Sequence, residues 1–415
     1  MTFRVIAFLC LFSTVALAQA KTIDDFVAPF AKANHFSGVV LAEKDGKVIY
    51  EKAFGLANAE HNVPNKLNTK FGIASITKPM TSVVLLRLIE AGKISPADKL
   101  SKFIPDFPNG DKITIEMIAR HRSGIPHRVM PNDEETKRFT PEQFVERVKK
   151  AKLEFEPGTD DLYSSAGYAV LARTLEIASG ESFQDLLRKY VFAPAGMNDT
   201  EDFDSAQIMK NRAECYLLGG EGYTAAPLKD YSFLVGAGSV FSTARDIQAF
   251  AQATIDGKFG ASAKANLVRN GVFRSNGSTN GYRANVRADV NKKFTYVVVS
   301  NMASGANDVI ISGLRNFLEG KEVPKPKIPQ PKIDPKVKNN LDDYVGRYKL
   351  SSSGFDILIN GGELFAGPFK LLPMGKDKFY NFFGYAEVTF VRDEKGKVTG
   401  LTWAGSAGKT DWTRE

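Results

Sequence analysis

The sequence predicts an α/β (α+β) fold: a β-sheet flanked by helices, followed by a small all-β domain. Three observations predict it. Strand-like runs stand near both ends of residues 21–320, with helical patterns between them, so one sheet is assembled from both ends of that stretch. Alternating proline and lysine then interrupt the chain over residues 321–337. Residues 338–415 read as short β runs joined by turns. At 415 residues the chain suits one large domain plus a small one.

Before the first strand lies a processing signal. Arg4 is followed by an apolar run at residues 5–17 and then by Ala18-Gln19-Ala20, a small-x-small cleavage site, with Lys21 after it. This is the pattern of a secretory signal peptide over residues 1–20, cut after Ala20; the run is too short for a membrane span. Cys10 within it follows Leu9, which is not the small residue a lipoprotein signal needs. The expected product is exported, periplasmic or secreted, without stable membrane insertion. Cys215 is then the one cysteine left, so no intrachain disulfide forms, and a buried apolar role suits it better than a nucleophilic one.

In the large unit, residues 38–43 and 47–51 flank Asp45-Gly46, a hairpin signal. Residues 79–91, with Met80, Val83, Val84, Leu86, Leu88 and Ile89, form a helix apolar around most of its circumference and therefore buried, with Pro79 in its first turn. Further helices are expected at 141–152, 167–179, 183–190 and 244–255, the last capped by Ser242 or Thr243. Residues 294–300 are a continuous apolar run, a buried strand, and 308–318 a closing helix. The Pro/Lys stretch can form neither helix nor central strand and is expected to be an extended, semi-rigid, charged linker. Beyond it, strands at 355–359, 387–391 and 398–403 suggest a β-meander or small open barrel.

The net charge of +8 is moderate, and no basic helix with interleaved aromatics accompanies it, which argues against nucleic acid as a partner. The four histidines, His35, His61, His121 and His127, match no compact metal-ligand spacing, and Gly408-Lys409-Thr410 lacks the rest of a phosphate loop; neither metal nor cofactor is implied.

The chemistry concentrates at Ser75-Ile76-Thr77-Lys78, which opens the buried helix. Helical residues i and i+3 share a face, so the hydroxyl and the amine can touch. Serine needs a base to become nucleophilic, and lysine serves only when neutral, a form that burial favours. The helix start also aims backbone N–H groups at developing negative charge. The spacing alone is weak: Ser406 and Lys409 repeat it, but in a turn and strand context that does not set up helical geometry.

Context makes the motif specific. Residues 71–81 (Phe71-Gly72-Ile73-Ala74-Ser75-Ile76-Thr77-Lys78-Pro79-Met80-Thr81) resemble the nucleophile segment of the class C β-lactamase-like serine hydrolases, which include D-alanyl-D-alanine peptidases, D-aminopeptidases and family VIII-type esterases. Residues 91–100, 155–159, 163–168 and 236–246 resemble further blocks of that family in the same order. The resemblance implies a β-lactamase/transpeptidase-like sheet with a helical subdomain, and it resembles proteins that append a small β domain. It makes Tyr163 the motif tyrosine beside Ser75 and Lys78, leaving open which of Tyr163 and Lys78 is the base. Two positions depart from the pattern. The usual Tyr-x-Asn is Tyr163-Ser164-Ser165, so a hydroxyl replaces an amide. The third motif aligns with Ser275-Asn276-Gly277, placing Ser275 where a cation usually stands, which weakens the case for a carboxylate pocket and for penicillin-type substrates. The backbone N–H of Ser278, with that of Ser75, is the implied oxyanion hole. The expected activity is hydrolysis through an acyl-enzyme on Ser75. The substrates in order are small esters, D-amino-acid peptides of cell-wall origin, and β-lactams, the last being the β-lactamase or D,D-peptidase alternative. A catalytically weakened binding or scaffold protein on the same fold is the other alternative.

Overall fold

The computed structural model describes residues 19–415 other than Glu221, Ser351, Ser352 and Ala407; the leader expected at residues 1–20 lies almost wholly outside the described residues. Five antiparallel strands form the main sheet: β1 (Gly38–Lys44), β2 (Lys47–Phe54), β3 (Val272–Ser278), β4 (Arg283–Asp289) and β5 (Phe294–Ser300), in spatial order β3-β4-β5-β1-β2. The sheet is thus built from both ends of the large unit, as the pattern predicts. Asp45 and Gly46 both take positive φ (50° and 74°), the conformation a two-residue hairpin turn requires.

Why both faces of this sheet are covered follows from its central strands. Val39, Leu41, Val297 and Val299 point into one apolar core, while Val40, Ala42, Phe294, Tyr296 and Val298 point into a second. Helices α1 (Ile23–Lys32) and α6 (Ala306–Leu318) close the second core. The first is closed by α2 (Thr77–Glu90), α3 (Pro141–Lys149), α4 (Ser165–Ser179) and α5 (Ala244–Asp256). Helix α1 is absent from the expected elements, although Thr22 and Asp25 form a capping box at its start. Thr243, not Ser242, caps α5, accepting from the Asp246 N–H. The single helix expected at 183–190 is a short α-helix, Phe183–Leu187, that widens into a π-type turn over Arg188–Phe192.

The C-terminal segment is a closed barrel of eight antiparallel strands, with Tyr348 of the first strand paired to Arg414 of the last. The open form expected from sequence is corrected here: closure pairs the two edge strands that a meander would leave exposed. Tyr344, Tyr348, Phe379 and Phe390 fill the interior together with Ile357, Leu371, Val388 and Leu401. The Pro/Lys linker is extended, yet it is docked rather than free: Val323 is buried, Ile328 joins the second core, and the Asp334 N–H donates to Pro373 O at 2.9 Å. The barrel is also held to the sheet unit directly. Gly305 N–H donates to Phe382 O (2.9 Å), and His35 Nδ1 lies 2.6 Å from the Tyr385 hydroxyl.

Candidate active site

Ser75 sits on a 3-10 turn, Ala74–Ile76, that runs directly into α2. Ala74 just before it has φ 46°, a left-handed conformation that a non-glycine residue adopts at a cost of order 1–3 kcal/mol, as functional turns often do. One turn on, Lys78 is buried. Its Nζ donates to Ser75 Oγ at 3.2 Å, Ser165 Oγ at 3.2 Å and Ala237 O at 2.7 Å. Burial, with no carboxylate to offset it, lowers the ammonium pKa to about 7. The i, i+3 contact inferred from sequence is therefore present.

From the start of α4 comes the third group. The Tyr163 hydroxyl donates to Ser75 Oγ at 2.7 Å, and its ring lies 4.7 Å from Lys78 Nζ. Its pKa is raised by burial, an effect only partly opposed by the bond to Ser75, so the phenol form is favoured. Ser165, where the resemblance expects an amide, supplies a hydroxyl to the same lysine.

Strand β3 forms the facing wall. Gly277 passes so close to the nucleophile turn that a Cβ there would stand 2.0 Å from Ile73 O and 2.9 Å from Ser75 N. Ser275 and Ser278 line the cleft. The seven residues singled out from sequence thus converge on one place.

Other groups at the site escaped the sequence reading. His121 and His127 are bonded to the segment that carries Tyr163: Ser164 N–H donates to His121 Nδ1 (3.1 Å) and Ser165 N–H to His127 Nδ1 (3.3 Å). Their rings also flank Tyr163, at centroid distances of 4.7 and 5.3 Å. Leu162 N–H to His121 O, Ser164 Oγ to Pro126 O and Ala166 N–H to His127 O complete the attachment of one loop to the other. Accepting at Nδ1 requires an unprotonated nitrogen there, and burial followed by the Lys78 charge lowers both imidazoles to about 4. The one available signal was their placement around Gly124-Pro126, too short a pattern to reveal the tyrosine between them.

The cleft around these groups measures about 730 Å³. Pro368, Phe369 and Phe383 from the barrel form part of its wall, the two rings stacked at 3.7 Å. Cys215 lies against Gly281, and burial pushes its thiol up to about 11, which makes it a poor nucleophile. Ser406 bonds to Gly384 O in a barrel hairpin outside the cleft. Among the described residues, no cluster of His, Cys, Asp and Glu could hold a metal, and no helix is long and apolar enough to cross a membrane.

The family described as Beta-lactamase matches residues 23–311. A putative penicillin-binding protein PbpX of Bacillus subtilis is 31% identical over 242 residues, covering 58% of this chain and 61% of its own length. The D-alanyl-D-alanine-carboxypeptidase/endopeptidase AmpH of Escherichia coli is 29% identical over 263 residues, covering 60% of this chain and 67% of its own. The match to PbpX therefore spans only about three fifths of that relative. The octameric penicillin-binding protein homologue from Pyrococcus abyssi superposes with a TM-score of 0.62 at 21% identity, covering 94% of this chain and 98% of that one, which establishes a shared fold that includes the barrel.

Proposed function

Since the chain belongs to the Beta-lactamase family, we propose that it is a serine hydrolase that cleaves a small ester or a D-amino-acid, cell-wall-type amide through an acyl-enzyme on Ser75. One observation carries the reading: Lys78 Nζ and the Tyr163 hydroxyl both lie within hydrogen-bonding distance of Ser75 Oγ.

The roles follow from the electrostatics. A lysine titrating near 7 is neutral in a large fraction of molecules at neutral pH, so Lys78 takes the Ser75 proton as the oxygen attacks the substrate carbonyl. Tyr163, kept as a phenol, donates to the departing oxygen or nitrogen and is reprotonated through Lys78. The negative charge on the carbonyl oxygen is held by the backbone N–H groups of Ser75 and Ser278, at the close approach that Gly277 permits. Water then enters, Lys78 takes its proton as the water oxygen attacks the acyl ester, and Lys78 returns that proton to the departing Ser75 Oγ, which releases the acid and restores both residues. AmpH, named as a D-alanyl-D-alanine-carboxypeptidase/endopeptidase, motivates the D-amino-acid amides. Ser275 in place of a cation keeps esters ahead of β-lactams. Export through the leader at residues 1–20 belongs to the same proposal and would bring the enzyme to cell-wall material.

The test is the Ser75→Ala protein against the parent on p-nitrophenyl acetate and a D-alanyl-D-alanine peptide, with fluorophosphonate labelling in parallel. Loss of turnover and label in the variant is expected. Undiminished hydrolysis by it would remove Ser75 from the mechanism, and no acylation of the parent by either substrate would favour the binding-protein alternative.

A further inference from the structure

Taking the acyl-enzyme reading as its premise, we propose that Arg283 is a positioning residue: it fixes the barrel's aromatic wall against the strand that ends at Ser278, and through that wall it sets selectivity for substrates carrying a bulky apolar group. This adds to the reading a residue outside the nucleophile machinery and a substrate class on which it acts.

Strand β3 lies at the edge of the main sheet, with β4 as its one neighbour there. Ser278, its last residue, pairs with Arg283, the first of β4, and Thr279 N–H donates to Tyr282 O at 3.1 Å in the hairpin between them. On its other side Arg283 pairs with Ser300 of β5. The Arg283 backbone is therefore tied to the strand end that presents the Ser278 N–H.

Its side chain is tied to the barrel. The guanidinium carbon stands 5.1 Å from the centre of the Phe383 ring, while Nη2 donates to Asp308 Oδ1 at 2.7 Å, in the first turn of α6. A planar guanidinium can bond along its edge and cover a ring with its face at the same time, which an ammonium on a flexible stem cannot. The side chain is 18% exposed, so water competes little for either contact. Phe383 stacks on Phe369, and the two pack beside Leu217, Ala226 and Ala303. Both rings line the cleft. Arg283 thus joins, within one residue, the backbone opposite Ser278 and the ring that bounds the cleft on the barrel side. The hairpin has its own anchor: Tyr282 is buried in the first core and its hydroxyl donates to Ala213 O. Replacing Arg283 should therefore loosen the wall and leave the oxyanion hole in place.

Two uncharged pairs of esters test this, one for each side of the scissile bond. On the acyl side p-nitrophenyl acetate is compared with p-nitrophenyl octanoate. On the leaving-group side phenyl acetate is compared with 4-phenylphenyl acetate. In at least one pair, Arg283→Gln should lower kcat/KM for the large ester about tenfold, mainly through KM, and change the small ester by less than about twofold. In a Phe383→Leu background the same substitution should change the large ester by less than about twofold, because the ring through which Arg283 acts is gone. Asp308→Asn, which keeps the guanidinium but removes its anchor, should move the large ester in the same direction by a smaller factor, and it decides the matter if the Arg283→Gln protein does not fold. Equal losses on small and large esters, a fall in kcat alone, an undiminished effect of Arg283→Gln in the Phe383→Leu background, or no change in either pair would overturn the inference. Hydrolysis of no ester by the parent, with no label on Ser75, would instead overturn the acyl-enzyme reading beneath it.

Discussion

Gly277 and Ser75 come together so closely that only a hydrogen fits between the strand and the nucleophile turn: a Cβ on Gly277 would lie 2.9 Å from Ser75 N. The same Cβ would stand 2.0 Å from Ile73 O, a backbone atom that cannot swing aside. Gly277→Ala is therefore expected to push β3 away from the nucleophile turn and separate the two N–H donors of the oxyanion hole. Loss of one such donor costs about 10²–10³ in rate. The expected result is a kcat lowered by at least about 100-fold with a modest loss of stability, measured by steady-state kinetics alongside thermal unfolding. Near-parental kcat would show that the approach of this strand is not used in catalysis.

Lys78 gives a pH prediction with a definite sign. Activity needs the neutral amine, and its pKa is lowered to about 7, so kcat/KM should rise with pH through a midpoint near 7 and not near the ordinary lysine value. The stability effect follows the same shift. The unfolded lysine holds its proton up to about 10.5 while the folded one releases it near 7, so between these values the unfolded state binds more protons and this residue's contribution makes stability rise with pH. Lys78→Met should abolish turnover and remove that contribution from the pH dependence of the melting temperature. A midpoint above pH 9 in the parent would contradict the burial argument.

His121 and His127 are expected to act on Tyr163 without touching substrate chemistry. His127→Asn keeps an acceptor for the Ser165 N–H, whereas His127→Phe keeps a ring beside Tyr163 and loses the acceptor. The phenylalanine variant should lower kcat about tenfold with little change in KM, and the asparagine variant should recover much of it, since small misplacements of a catalytic group cost rates of this order or more. Equal, small effects from both would mean that the loop positions itself without this bond.

The barrel reaches the cleft through stacked Phe369 and Phe383. Phe369→Ala should raise KM for esters with bulky apolar groups by about tenfold while leaving acetyl esters nearly untouched, because only large groups extend far enough to lose the apolar contact. A uniform change across chain lengths would show the ring to be structural.

How much of this was legible in the sequence depends on the range of the signal. Local periodicity marked β5, the hairpin at Asp45-Gly46 and buried α2, because each buries residues at a period the sequence displays. The i, i+3 pair of Ser75 and Lys78 was readable for the same reason. Tyr163, Ser165, Ser275, Gly277 and Ser278 came from family resemblance, since no local rule links residues 88 apart such as Ser75 and Tyr163. Closure of the barrel was hidden because pairing Tyr348 with Arg414 depends on both ends of the domain at once. The histidines around Tyr163, and the buried Glu135 paired with Arg128 and Lys229, were hidden likewise: their partners are set by tertiary packing. Helix α1 was readable from the capping box at Thr22 and Asp25 but lies next to the leader, where the apolar run dominates the pattern.

The central claim is tested most directly by trapping the intermediate. Rapid-quench mass spectrometry of the parent mixed with p-nitrophenyl acetate, followed by peptide mapping, should show a single acetyl adduct on the peptide carrying Ser75, appearing faster than steady-state turnover and absent from the Ser75→Ala protein. Product release with no adduct on that peptide at any time, or an adduct on another residue that turns over at the steady-state rate, would contradict it.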